Sequence, residues 1–221
     1  MASQIAHIIY AKKYFDSLDL AKVSELSSEE KLAAPKKELN RDEFILGCIF
    51  PDIRRIDGNI KRKDTHLRFP KLNLDFSDLS SFEAGWKFHL YCDMRREEIL
   101  NGYKFYSNNK LGLAGDIPNK LLEDELIYES WDNWEKISYL FDNPPFTGTD
   151  IGITPETFRL WYAILANYCQ RKPDEKSERA FLVKMPSLVK SINEIMRAMS
   201  KLREDKKAVE ILGKIKDEII L

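Results

Sequence analysis

The sequence predicts an all-α fold, a multi-helix bundle. Three observations carry this expectation. Apolar residues recur at three- and four-residue spacing along most of the chain, no run of alternating apolar and polar residues is long enough to make a sheet, and no internal repeat or low-complexity tract breaks the pattern. With 221 residues, 43% of them hydrophobic and 32% charged, the chain can bury a substantial core.

In chain order, a first helix covers about residues 3–17, where Ile5, Ile8, Ile9, Ala11, Tyr14 and Phe15 keep helical spacing and His7 lies among them. Residues 27–40 combine serines, charges and Pro35, the composition of a loop or of a short helix that stops before the proline. The segment RDEFILGCIF, residues 41–50, reads as a short buried helix ended by Pro51, which places Asp52 and Arg54 at its exit. Residues 57–81 read as a long irregular connection with His66 in its middle. Ser80 or Ser81 then caps a helix reaching about Gly102, whose stretch FEAGWKFHLYCDMRR carries His89 and Asp93 one turn apart. Their face also holds Phe82, Gly85, Trp86 and Leu100, so it is expected to turn inward. Residues 101–119 read as a second loop, and residues 119–141 as one amphipathic helix with Leu122, Ile127, Trp131 and Trp134 inward and many acids outward. Thr154 caps a helix running through Tyr168, and residues 175–221 are helical and highly charged.

Charge and cysteine usage narrow the function classes. The 35 lysines and arginines balance the 36 acids, so no global field draws the chain to nucleic acid or to a membrane surface. No stretch is long and apolar enough to span a bilayer, and the N-terminal residues MASQIAHIIYAKKYFD lack the pattern of a secretory signal. Cys48, Cys92 and Cys169 are odd in number, without CxxC spacing, and read as buried free thiols. A cytoplasmic protein is the expectation.

The three histidines stand out because each has an acid or a basic loop near it. His89 and Asp93, four residues apart on an apolar helix face, are close enough to share one ligand. A buried carboxylate there needs a cation or a metal, because an isolated buried charge is costly. His7, Asp52 and His66 sit at helix or loop positions able to converge on the same pair, and imidazole nitrogen with carboxylate oxygen suits zinc or a similar divalent ion.

The pieces HIIYAKKYFD, FILGCIFPDIRR, KDTHLRF and AGWKFHLYCDM, their order, and the fourteen-residue step from Asp52 to His66 resemble the zinc-dependent phospholipase C family. More distantly, they resemble the single-strand-specific nucleases of the same helical fold. The resemblance covers roughly residues 3–100. It implies that Asp52, His66, His89 and Asp93 hold one metal, that Asp93 bridges to a second metal also bound by His7, and that Asp52 serves as general base. In that family a third metal uses two further histidines and an acid downstream of the HxxxD helix. No histidine follows His89 here, so that site is absent or rebuilt, with the i, i+4 pair Glu125 and Glu129 as candidate ligands.

Together these readings predict a metal-dependent hydrolase of a phosphate ester, a phosphodiester or phosphomonoester, carrying one or two zinc or other divalent ions. The expected substrate is a small-molecule or lipid phosphate ester. Nucleic acid is a less favoured partner, since Trp86, Trp131, Trp134 and Trp161 fit core packing rather than base stacking. Within the basic set Arg54, Arg55, Lys61, Arg62, Lys63 and Arg68, the residues Arg54 and Arg68 are the candidates for holding the phosphate. Residues 1–172 form the metal-binding helical domain in this reading, and residues 173–221 a charged helical extension packed on it. No glycine-rich phosphate loop and no GxSxG elbow is present. The alternatives are a non-catalytic member of the fold with a structural metal, working as a binding or interaction protein, and a helical interaction protein without metal.

Overall fold

A computed structural model of the chain describes residues 4–26, 38–109, 115–146 and 150–220. Among these residues the chain is all-helical, with 11 α-helices and no strand. The expectations for residues 27–37, including a helix stop before Pro35, lie outside the described residues.

Helix α1 (Gln4–Leu26) runs past the predicted end near residue 17. No glycine or proline stands between Gln4 and Pro35 to stop it. Its first turn is capped from a distance, since the buried Asp124 carboxylate accepts the Gln4 and Ala6 backbone N–H groups at 3.1 and 2.8 Å. An anion there satisfies donors that the helix itself cannot and complements its positive end.

Helix α2 (Arg41–Ile49) starts where the Asn40 side chain accepts from Asp42 N and Glu43 N, and Pro51 turns it into a 3₁₀ segment (Phe50–Arg55), as expected. It packs on helix α4 (Ser81–Gly102), the central helix, whose cap is Ser80 accepting from Glu83 N. The crossing is tight enough that backbone meets backbone. A Cβ on Gly47 would stand 1.9 Å from the Phe82 carbonyl oxygen, and one on Gly85 would stand 1.9 Å from that of Phe44. Only glycine allows this approach. Around it Tyr14, Phe15, Phe44, Phe76 and Phe88 pack edge-to-face and tilted, with Phe44 and Phe88 centroids 5.2 Å apart.

Two predicted loops contain helical turns. Residues 57–81 include helix α3 (Arg62–His66), held by the Asp64 carboxylate accepting from Lys61 N at 2.7 Å, and residues 101–119 include helix α5 (Phe105–Asn108). Residues 119–141 are not one helix. Helix α6 (Ile117–Ile127) gives way to a 3₁₀ turn, Trp131 is extended, and Asn133 caps helix α7 (Trp134–Asp142) by accepting from Lys136 N. In the sequence Ser-Trp-Asp-Asn the short polar side chains compete with the backbone for hydrogen bonds, and here they win. The acids of α6 are not all outward either, since Glu123 and Asp124 are fully buried.

Helix α8 (Pro155–Cys169) begins at the predicted Thr154 cap. Helices α9 (Glu175–Val183), α10 (Ile192–Glu204) and α11 (Lys206–Glu218) follow; α10 and α11 pack on α6, and they bury Ile195, Met199, Leu202, Ile211 and Ile215. All three cysteines are buried free thiols, and no helix among the described residues is long and apolar enough to cross a membrane.

This C-terminal packing carries a pH-dependent contact. Arg203 on α10 bonds Glu125 at 2.8 Å and the buried Glu178 at 3.2 Å. Burial pushes the Glu178 carboxyl up from 4.5 to about 7, Arg203 opposing and Glu125 reinforcing the shift. The folded state therefore favours the protonated acid. Its stabilising effect is full below about pH 4.5 and is lost as pH rises through about 7, on the order of 2–3 kcal/mol. Glu178→Gln is expected to shrink the difference in Tm between pH 5 and pH 8, and an unchanged difference would refute this.

Candidate metal centre

Four segments deliver the histidines and two of the acids to one place. His7 comes from the first turns of α1, Asp52 from the 3₁₀ segment after α2, His66 from the end of α3, and His89 with Asp93 from the middle of α4. Ligand atoms of Asp52, His66 and His89 all lie within 4.8 Å of one another, and so do those of His7, His89 and Asp93. His89 Nε2 is 3.6 Å from Asp93 Oδ2, the His7 ring stacks on His89 at 4.3 Å, and His66 meets His89 edge-on at 5.7 Å.

The glycine crossing explains how His89 is oriented. Because α2 lies against α4, the Cys48 carbonyl in the last turn of α2 accepts a hydrogen bond from His89 Nδ1 at 2.7 Å. The proton is thus on Nδ1 and the lone pair on Nε2, the arrangement that metal-binding histidines need. His89 Nε2 is fully buried and has no hydrogen-bond partner among the described residues. His66 Nδ1 lies 2.7 Å from the Thr65 hydroxyl, a hydrogen bond that holds the ring in place.

Electrostatics favours neutral rings beside ionised acids. Burial lowers both His66 and His89 to about 4, with the nearby Asp52 and Asp93 opposing. Burial alone would raise Asp93, but Lys120 and His89 hold it well below the usual carboxylate range. Asp52 is likewise raised by burial and brought well below that range by surrounding positive charge, Arg55 included. Asp52 Oδ2 also accepts from Gln4 Nε2 at 2.9 Å. Neutral imidazole nitrogen and ionised carboxylate oxygen are the donor types that a zinc-type ion takes, and here they gather as two triplets that share His89.

Other expected site residues are placed elsewhere. Glu125 is bonded to Arg203, and Glu129 is exposed and paired with Lys172 at 3.0 Å, so neither reaches the cluster. Arg68 lies over the Trp86 ring, paired with Glu83 and Asp150 at 3.2 and 2.5 Å, and does not line the cleft beside the cluster. Arg54 does stay near, with Nη2 3.6 Å from Asp52 Oδ1.

A cleft of about 410 Å³ opens beside His66 and Asp93, and its other polar walls are Arg62, Arg96, Glu97, Asp116 and Lys120. Arg62 belongs to the basic set already noted. The other four escape a reading by residue type, although Arg96 stands seven residues after His89 and so on its helix face, a signal that was available. Lys120 and Asp116, four residues apart at the start of α6, look like a surface ion pair in sequence and are partly buried in the fold. No protein-family model, curated protein or solved structure matches this chain, so the likeness to the zinc-dependent phospholipases C rests on the motifs and on the cluster they form.

Proposed function

We propose that this protein is a metal-dependent phosphoric ester hydrolase, similar in its site to the zinc-dependent phospholipases C, with Asp52, His66, His89 and Asp93 as ligands of a zinc-type ion. The observation that carries the reading is the bare, buried His89 Nε2 facing Asp93 with Asp52 and His66 beside it. The chemistry such an ion supplies when bound is acidification of a water and neutralisation of phosphoryl charge. The chain's own part is to orient and to exclude water. Cys48 fixes the His89 tautomer, Thr65 holds the His66 ring, and burial keeps both imidazoles neutral at pH 7. Asp52, the general base that the resemblance implies, is ionised at that pH and, held well below the usual carboxylate range, is a weak one. Buried free thiols fit a reducing, cytoplasmic setting.

Purified protein is expected to carry zinc, to hydrolyse bis(p-nitrophenyl) phosphate or p-nitrophenyl phosphate, and to lose at least about 100-fold in rate on chelation or in His66→Ala. Hydrolysis indifferent to both would overturn the reading. The full burial of Asp52 and His89 favours a second one, a structural metal in a non-catalytic protein. Stable zinc, a Tm that falls on chelation and no hydrolysis of either ester would establish it.

A further inference from the structure

Side-chain cations stand beside Asp93 at the cleft. Lys120 Nζ lies 3.2 Å from Asp93 Oδ1 and 3.3 Å from Asp116 Oδ2. Beside it Arg96, almost fully buried, gives Nε to Glu123 Oε2 at 2.6 Å and Nη1 to Asp116 Oδ2 at 3.2 Å. Arg96 lines the cleft, and its Nη2 is buried with no acceptor among the described residues. Arg62, one turn before His66 on α3, is exposed on the same cleft.

These groups differ in what they can do. Asp93 has two oxygens, of which Oδ2 faces His89 and Oδ1 faces Lys120. A divalent ion beside Asp93 Oδ1 would be repelled by the Lys120 ammonium already there. An ammonium and a guanidinium can instead meet the oxygens of a phosphate, the lysine as a point charge and the arginine as a fork. The Leu72, Leu90 and Met94 walls of the cleft leave apolar room beside such a phosphate for the organic part of an ester.

We infer that Lys120 is the built-in second cation of the site: it replaces the bridged metal at Asp93 and, with Arg62 and Arg96 Nη2, binds the phosphoryl oxygens of the substrate. This rests on the hydrolase reading for the metal alone, because the phosphate pocket is made by the chain's own cations. The test is inorganic phosphate binding by calorimetry on the purified full chain, together with zinc content by elemental analysis. Wild type is expected to hold about one zinc per chain. Lys120→Met, which keeps the aliphatic stem, should weaken phosphate roughly 10- to 100-fold. Lys120→Arg should restore much of that affinity, and Arg62→Ala, at an exposed position that folding tolerates, should weaken it several-fold. Two zinc ions per wild-type chain, or phosphate affinity unchanged in both Lys120→Met and Arg62→Ala, would overturn the inference. A zinc-free wild type that still loses phosphate in these variants sustains the pocket and refutes the hydrolase reading instead.

Discussion

Gly47→Ala and Gly85→Ala are each expected to cost about 4 kcal/mol or more, or to prevent folding. The new methyl would stand 1.9 Å from a carbonyl oxygen of the facing helix, and the obstacle is backbone, which no rotamer change can move aside. Relief requires α2 and α4 to separate, which draws the Cys48 carbonyl away from His89 Nδ1 and frees the imidazole from its tautomer. Urea unfolding measures the first effect. Zinc affinity of whatever protein folds measures the second. Gly213, inside α11 with nothing within 4 Å of an added Cβ, is the control, and Gly213→Ala should gain about 0.5–1 kcal/mol. A Gly85→Ala protein as stable as wild type would show that the helices do not cross this closely.

The second large effect belongs to the buried pair Arg96 and Glu123. Glu123 accepts from Arg96 Nε at 2.6 Å and from the Tyr10 hydroxyl, joining α4, α6 and α1 in one network. Glu123→Ala leaves the guanidinium buried with only the half-exposed Asp116 as counter-charge, an expected loss of about 3–5 kcal/mol and roughly 10 °C in Tm. Replacing both charges by apolar groups of similar size, as in Arg96→Met with Glu123→Leu, should recover most of that loss, because it removes the desolvated charge along with its partner. If the double variant is as unstable as the sum of the single ones, the two residues are not coupled.

How much was legible in the chain depended on whether a signal was local. Pro51, Ser80 and Thr154 act on backbone groups within one turn, and the helix boundaries they predict are the ones found. The break near Trp131 was also local, but a run of apolar spacing masked it. The acids of α6 were misjudged for a different reason. Asp124 is inside because it caps a helix start 120 residues away, and Glu123 because Arg96 and Tyr10 meet it, whereas Glu125, on the same helix, goes out to Arg203. Side-chain type does not separate these cases.

By itself the sequence determined the all-helical architecture and the pairing of His89 with Asp93, since both follow from periodicity within a single element. Only the tertiary structure decided which partners that pair receives. The approach of α2 to α4 orients His89 and brings Asp52 and His66 beside it, and the placement of α6 sets Lys120, rather than Glu125 or Glu129, against Asp93. The physical reason is that a helix pattern specifies a face, while the meeting of two faces depends on how closely and at what register their backbones cross.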